Sequence, residues 1–348
     1  MSRLLLQPRR ALTTIKLHPR PSLPARRHHG TVSTTTPRKV AARIPPDSWD
    51  SHMHVTDPAY PLAPTAAYTP PLHTLSSALA LTSGAYTIRN LVLVQPSIYG
   101  ADNSCLLSAL SQLGPSHGRA VVGIDPAGAA PSQQQQQEQE EKMLAWHALG
   151  VRGVRLNLKS VGRAPSLAQL RADVAAHAAA IPPPLRAAWV LQVYCALDAV
   201  PLLERVVAGG DEAAGAALPP GVKLCIDHFG HPALPSSSTD SDPDPYDLPG
   251  FDALMRLLRA GRTWVKLSAA YRIERGEGLP WLGAMARELL SVREGGRCVF
   301  ATDWPHTRFD GVDVEPFVEK CLEWCGGDEK KVERLFRGNA EELWDVKR

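Results

Sequence analysis

Residues 48–55 read SWDSHMHV. Two histidines stand two residues apart at the end of a short β-prone run, and a proline-rich loop, DPAYPLAPTAAYTPP, follows at once. Successive side chains of a strand point to opposite faces, so Asp50, His52 and His54 are expected on one face and Ser51 and Met53 on the other. On an open surface these rings are solvated loop histidines. Inside a barrel they are half of a site.

The remaining chain favours the barrel. Seven further β-rich runs follow: RNLVLVQPS (89–97), AVVGID (120–125), VRGVRLNL (151–158), AWVLQVYC (188–195), VKLCIDHF (222–229), TWVKLSAA (263–270) and RCVFATDW (297–304). Segments with apolar residues at helical spacing separate most of them, among them SCLLSALSQL, SLAQLRADVAAHAAA and FDALMRLLRAG. Val-rich, nearly continuous strands suit a parallel sheet buried on both faces. Eight of them alternating with helices predict an α/β chain folded as a (β/α)8 TIM barrel, a single domain over residues 47–348. An open doubly wound sheet is the alternative. Against it, no GxGxxG follows the first strand, and a single sheet of eight parallel strands is long.

The chain has 348 residues, a net charge of +3 and 44% hydrophobic content. That balance gives no reason to expect nucleic-acid binding, and no apolar run reaches membrane-spanning length. The charge is uneven, because residues 1–46 carry ten Lys or Arg and no Asp or Glu. Such an Arg-rich, hydroxyl-rich start is expected to be a disordered basic extension. It has the character of a mitochondrial transit peptide for the matrix; without an address the protein is cytoplasmic. Six cysteines without a CxxC pair fit a reduced intracellular protein. Two low-complexity insertions, near 126–142 and 231–250, are expected as mobile surface loops. No oligomeric state follows from the sequence.

Barrel enzymes build their sites at the C-terminal strand ends. Those ends offer Asp50, His52 and His54; Gln95, Ser97 and Tyr99; Arg152, Arg155 and Asn157; Gln192 and Tyr194. The later strands add Asp227, His228 and His231; Lys266, Ser268, Tyr271 and Arg272; Thr302, Asp303 and His306. A lone Ser or Tyr at a strand end is ordinary surface. Convergence changes the odds: HxH after the first strand, His after the sixth and Asp after the eighth would meet at one mouth. Three imidazoles and a carboxylate there suit metal binding or general acid–base work.

These motifs carry a family resemblance over roughly residues 48–346. DSHMHV, DHFGHP, ATDWPH and RGNAEELWDV resemble the amidohydrolase-related, metal-dependent-hydrolase-like barrels. YPLAP…YTP and QPSIYGADN narrow the likeness to the branch of the 2-pyrone-4,6-dicarboxylate lactonases. The resemblance implies a hydrolase that opens a lactone of a small carboxylated acid. Asp303 would activate water, and His52, His54 and His228 would polarise the carbonyl. Tyr68, Ser97, Arg152, Arg155, Tyr194, His231 and Arg272 would contact substrate, arginine being suited to carboxylates by its planar fork. His231 stands where the family motif DHxGRP has arginine, which weakens the expected grip on one acidic group.

Many members of that superfamily hold zinc with an added strand-four Lys or Glu and a strand-five His. Here those strands offer Arg155, Asn157, Tyr194 and Cys195. The expectation is that no cofactor is required; a zinc or manganese ion, if bound, would sit on His52, His54, His228 and Asp303. A metal-dependent decarboxylase of an aromatic or muconic-type acid is the second reading. A non-catalytic relative is the third, and the full set of His52, His54, His228 and Asp303 argues against it.

Overall fold

The β-rich runs pair in sequence order. The computed structural model describes residues 37–126, 132–209, 217–235, 242–276, 278–309 and 311–347. Among the described residues eight strands are formed: β1 (Trp49–Met53), β2 (Asn90–Val94), β3 (Gly118–Gly123), β4 (Val151–Asn157), β5 (Val190–Tyr194), β6 (Lys223–Ile226), β7 (Thr263–Leu267) and β8 (Cys298–Phe300). Every neighbouring pair from β1 to β8 is parallel. The ring closes just past β8, where His54 N donates to Trp304 O at 2.8 Å and Asp303 N donates to His52 O at 3.1 Å. This is the (β/α)8 barrel that the strand count predicts. Among the described residues no helix is long and apolar enough to cross a membrane.

Alternation sorts the strand residues into two cores. Outward residues such as Leu91, Leu93, Leu191, Val193, Leu224 and Ile226 pack under the helices. Inward residues Trp49, Val92, Val94, Val121, Val190, Cys225, Trp264 and Val299 fill the lower lumen. Ala340, Leu343 and Trp344, from the C-terminal segment, join this second core and plug it. Above the plug the inward residues turn polar. The lower barrel is thus a dry, rigid floor for whatever chemistry the upper lumen performs.

One expectation about β1 is overturned. Its pairing with β2 slips between Asp50 and Met53. An extra residue in a strand breaks the two-residue alternation. Asp50 therefore leaves the histidine face and enters the β1–β8 seam, where it accepts from Thr302 N at 3.1 Å and Thr302 Oγ1 at 2.5 Å. Ser51, expected toward the helices, instead reaches the plug and accepts from Trp344 Nε1 at 3.2 Å. Asp50 is a stitch closing the barrel where regular ladder bonds have ended. Its burial pushes its carboxyl up to about 7, against the pull of the Thr302 hydrogen bonds.

Two segment boundaries also differ. Most of the Gln-rich stretch expected as a mobile loop is helix, Gln133–Leu149, opened by a Ser132–Gln135 capping box and closed at Gly150 with φ +114°. Glutamine is a good helix former, and a reciprocal cap satisfies two orphan amides. Within residues 1–46, the part from 37 onward packs on the barrel: Val40, Ala41 and Ile44 are buried, and Arg38 pairs with Asp313 and Glu315. The remainder of the basic extension, with its expected targeting role, lies outside the described residues. So do 127–131 and 236–241 of the two insertions.

Candidate active site

The polar upper lumen is built from strand ends. His52 and His54 come from the end of β1 and the residue after it, Arg155 from β4, Tyr194 from β5, and His228 and Asp303 from the turns after β6 and β8. His228 and Asp303 sit at φ +53° and +62°. Non-glycine residues rarely hold such left-handed conformations, and they cluster where a side chain must be aimed. Here both turns aim a side chain at the barrel axis.

Asp303 is the centre. Its Oδ1 lies 3.7 Å from His52 Nε2, 3.8 Å from His54 Nε2 and 3.8 Å from His228 Nε2. Its Oδ2 is held away from that centre, accepting from Tyr271 OH at 2.6 Å and Arg272 Nε at 2.8 Å. One carboxylate oxygen is thus anchored and the other is free to react. Burial alone would raise its carboxyl, but His228, His52 and Arg272 outweigh that and hold it well below the usual range. Asp303 is ionised across the neutral range.

Each ring is oriented through its far nitrogen. His54 Nδ1 donates to Val94 O at 2.7 Å, because a carbonyl can only accept. His228 Nδ1 meets Ser268 Oγ at 2.7 Å. His52 Nδ1 faces Lys266 Nζ at 3.2 Å and Asp227 Oδ1 at 3.4 Å. Burial lowers all three rings, reinforced by Lys266 at His52 and by Arg155 at His54, which falls to about 4. All three are neutral imidazoles at neutral pH.

A cavity of about 580 Å³ opens over this cluster. Of the residues expected to touch substrate, Tyr68, Ser97, Arg155, Tyr194, His231 and Arg272 line it. Arg272 spends its Nε on Asp303 and its Nη2 on Thr307 O, so it serves the carboxylate first. Arg155 donates to Gln95 O at 2.6 Å, and its Nε has no partner among the described residues. Tyr194 OH and His231 Nδ1 share a hydrogen bond at 2.9 Å. Burial and Lys159 push His231 down to about 4, so it supplies no charge where an arginine would.

Arg152 is the correction. It starts β4, at the opposite end of the barrel, where it donates to His147 O and pairs with Asp345 at 3.3 Å. Three residues along a strand separate it from Arg155 by about 10 Å, enough to exchange one mouth for the other. Sequence reading also left the buried lysine Lys266, with Asp227 and Gln192, without a role. The alternation in TWVKL, which sets Lys266 on the same face as Trp264, was the signal for it.

The donor set fits a divalent cation. Three imidazole Nε2 atoms lie 3.7–3.8 Å from one carboxylate oxygen, and His54 donates Nδ1–H to Val94 O as a ligand histidine does. His52, His54 and Asp303 form one group able to hold an ion, and His52, Asp227 and His228 form another.

The amidohydrolase family model matches residues 49–346, the whole barrel. The chain belongs to the amidohydrolase family. This amidohydrolase is 30% identical over 311 residues to a 4-sulfomuconolactone hydrolase of Hydrogenophaga intermedia, covering 86% of this chain and 89% of that one. Among solved structures it resembles one assigned as a 2-pyrone-4,6-dicarboxylic acid hydrolase from Pseudomonas putida. That match has 29% identity and a TM-score of 0.64 and covers 87% of this chain and 98% of the other. A zinc-bound amidohydrolase from Burkholderia multivorans shares the fold at 19% identity and TM-score 0.62, covering 86% of this chain and 99% of its own. The likeness expected from DSHMHV and ATDWPH is thereby confirmed: this is an enzyme of the amidohydrolase superfamily, lactonase-like.

Proposed function

We propose that this amidohydrolase opens the ring of a small anionic lactone by adding water across its ester bond. The observation that carries the reading is the free Oδ1 of Asp303, ringed by three imidazoles beneath a cavity lined with Arg155, Lys159 and Arg308. The named relatives, a 4-sulfomuconolactone hydrolase and a 2-pyrone-4,6-dicarboxylic acid hydrolase, support the substrate class.

The steps follow from the hydrogen bonds. Water enters beside Asp303, and Oδ1 takes its proton as the oxygen attacks the lactone carbonyl. Arg272 and Tyr271 keep Oδ2 fixed, so the base does not rotate away. The carbonyl oxygen gains negative charge beside His52 and His228. His52 donates from Nε2. His228 does so when Ser268 donates to its Nδ1. His54, whose Nδ1–H is committed to Val94 O, has no proton on Nε2 and donates nothing to that oxygen; it accepts the His52 Nε2–H until substrate arrives. Collapse of the tetrahedral adduct breaks the ring C–O bond, and the departing oxygen takes the proton held on Asp303. Preorganised donors in a water-poor site give this arrangement its force. Arg155 and the cationic rim hold the substrate's acidic groups.

In this reading the chain's own donors polarise the carbonyl, and no metal is required. A divalent ion on His52, His54, His228 and Asp303 would supply Lewis-acid polarisation when bound. The same metal-competent donor set favours, as a second reading, decarboxylation of an aromatic or muconic-type acid.

The test is hydrolysis of 2-pyrone-4,6-dicarboxylate and of sulfo- and carboxymuconolactones, followed by acid release and loss of lactone absorbance, before and after chelation. Turnover that survives chelation supports the metal-free mechanism. Carbon dioxide release from aromatic acids, with no lactone turnover, would replace this reading by the second.

A further inference from the structure

Lys266 and Asp227 are wholly buried beneath the reacting centre, and neither lines the cavity. Lys266 Nζ donates to Gln192 Oε1 at 2.7 Å, lies 3.2 Å from Asp227 Oδ1 and meets His52 Nδ1 at 3.2 Å. Gln192 Nε2 donates to Asp227 Oδ2 at 3.0 Å. Gln192 thus turns its oxygen to the lysine and its nitrogen to the carboxylate.

A lysine amine meets a ring nitrogen at that distance as its donor. His52 Nδ1 must then keep its lone pair, and the ring proton sits on Nε2. His54 agrees with this assignment. Its Nδ1–H goes to Val94 O, so its Nε2 is an acceptor, placed 3.3 Å from His52 Nε2. Donors run in one direction, from Lys266 through His52 and His54 to Val94 O.

A second arrangement waits beside the first. Asp227 Oδ1 is buried, 3.4 Å from His52 Nδ1, and finds no aligned hydrogen bond among the described residues. Were the ring proton on Nδ1, this oxygen would gain a donor and Nε2 would turn a lone pair toward His54 Nε2 and Asp303 Oδ1. Metal ligation requires that second form, since a ligating nitrogen carries no proton.

The geometry points to Lys266 as the positioning residue that holds His52 in its Nε2–H form, which makes His52 Nε2 a donor, paired with His54 Nε2 at 3.3 Å, and opposes capture of a divalent cation by His52, His54, His228 and Asp303. Asp227 anchors the lysine and is the alternative partner for the ring. The inference concerns the same site as the lactone reading but is measured without substrate, so the two fail separately. Absence of lactone turnover would leave both results below intact.

Neutron diffraction from metal-free, deuterium-exchanged crystals of the wild-type chain reads the tautomer. Deuterium on His52 Nε2 and none on Nδ1 is expected; deuterium on Nδ1 alone overturns the proposal. Zinc affinity, measured on the full chain by competition with a chelating dye, supplies the second arm. Lys266→Met frees Nδ1 to donate to Asp227 and should bind zinc at least tenfold more tightly than wild type. Zinc affinity equal to or weaker than wild type in folded Lys266→Met overturns it, because a purely structural lysine would give that result. If the single variant does not fold with Asp227 unpaired, Lys266→Met/Asp227→Asn takes its place. The Asn oxygen still accepts from Nδ1–H, and the same gain is expected.

Discussion

Arg272 Nε donates to Asp303 Oδ2 at 2.8 Å, and this bond joins the short helix after β7, Ala270–Ile273, to the turn after β8. An arginine expected to grip substrate is occupied by the proposed base. Arg272→Met should therefore lower kcat by about tenfold to a hundredfold, the weight of a charge-assisted hydrogen bond of roughly 1.5–3 kcal/mol. KM should change little. A large rise in KM with kcat kept, in steady-state kinetics, would return Arg272 to the substrate.

Asp303→Asn keeps the shape of the side chain and removes the proton acceptor. Loss of a positioned general base costs on the order of 10²–10⁴ in rate. Substrate binding by calorimetry should survive, because the cationic groups of the cavity remain. Normal hydrolysis by this variant would exclude Asp303 as the base.

Arg152 and Arg155 provide a matched pair. Arg155→Ala removes a guanidinium from the cavity wall and should raise KM by about tenfold or more. Arg152→Ala acts at the opposite mouth, beside Asp345. Its kcat/KM should stay within about twofold of wild type, while the melting temperature falls. Equal kinetic damage from both would contradict their placement at opposite ends.

Trp344 is fully buried in the lower lumen, and its ring lies 5.3 Å from Lys266 Nζ. Trp344→Ala should cost about 3–5 kcal/mol, the range for deleting a large core aromatic. Denaturant unfolding measures it. A cost under about 1 kcal/mol would mean that the plug is dispensable.

Acid should destabilise the fold. Burial lowers His54, His231 and His306 to about 4 each, below the 6.5 of an exposed ring. Between those values the unfolded chain binds more protons than the folded one, so stability is full above about pH 6.5 and falls as pH drops toward 4. Asp50, raised to about 7 by burial, works in the opposite direction but is one carboxyl against three rings. Calorimetric melting temperatures should therefore decline from pH 6.5 to pH 4. A flat or rising profile would refute the neutral, buried assignment of these rings.

Patterns of two and of three to four residues are local, and the sequence alone carried them. Val-rich runs alternating with helical ones determined the eight-stranded barrel. HxH, DHFGH and TDWPH, each at the end of its run, determined that His52, His54, His228 and Asp303 would meet. Other features depended on distant partners. The slip in β1 comes from its pairing with β2 and the seam to β8, and it sent Asp50 away from the histidines it was expected to join. Arg152 and Arg155 look alike in VRGVRLNL, but strand direction sends them to opposite mouths. Lys266 reads as one residue of an apolar run until the closed ring brings it to His52, 214 positions away. Alternation fixes which face a side chain occupies. Only ring closure and pairing register fix its height in the lumen and the partner waiting there, because both are set by contacts between strands far apart in the chain.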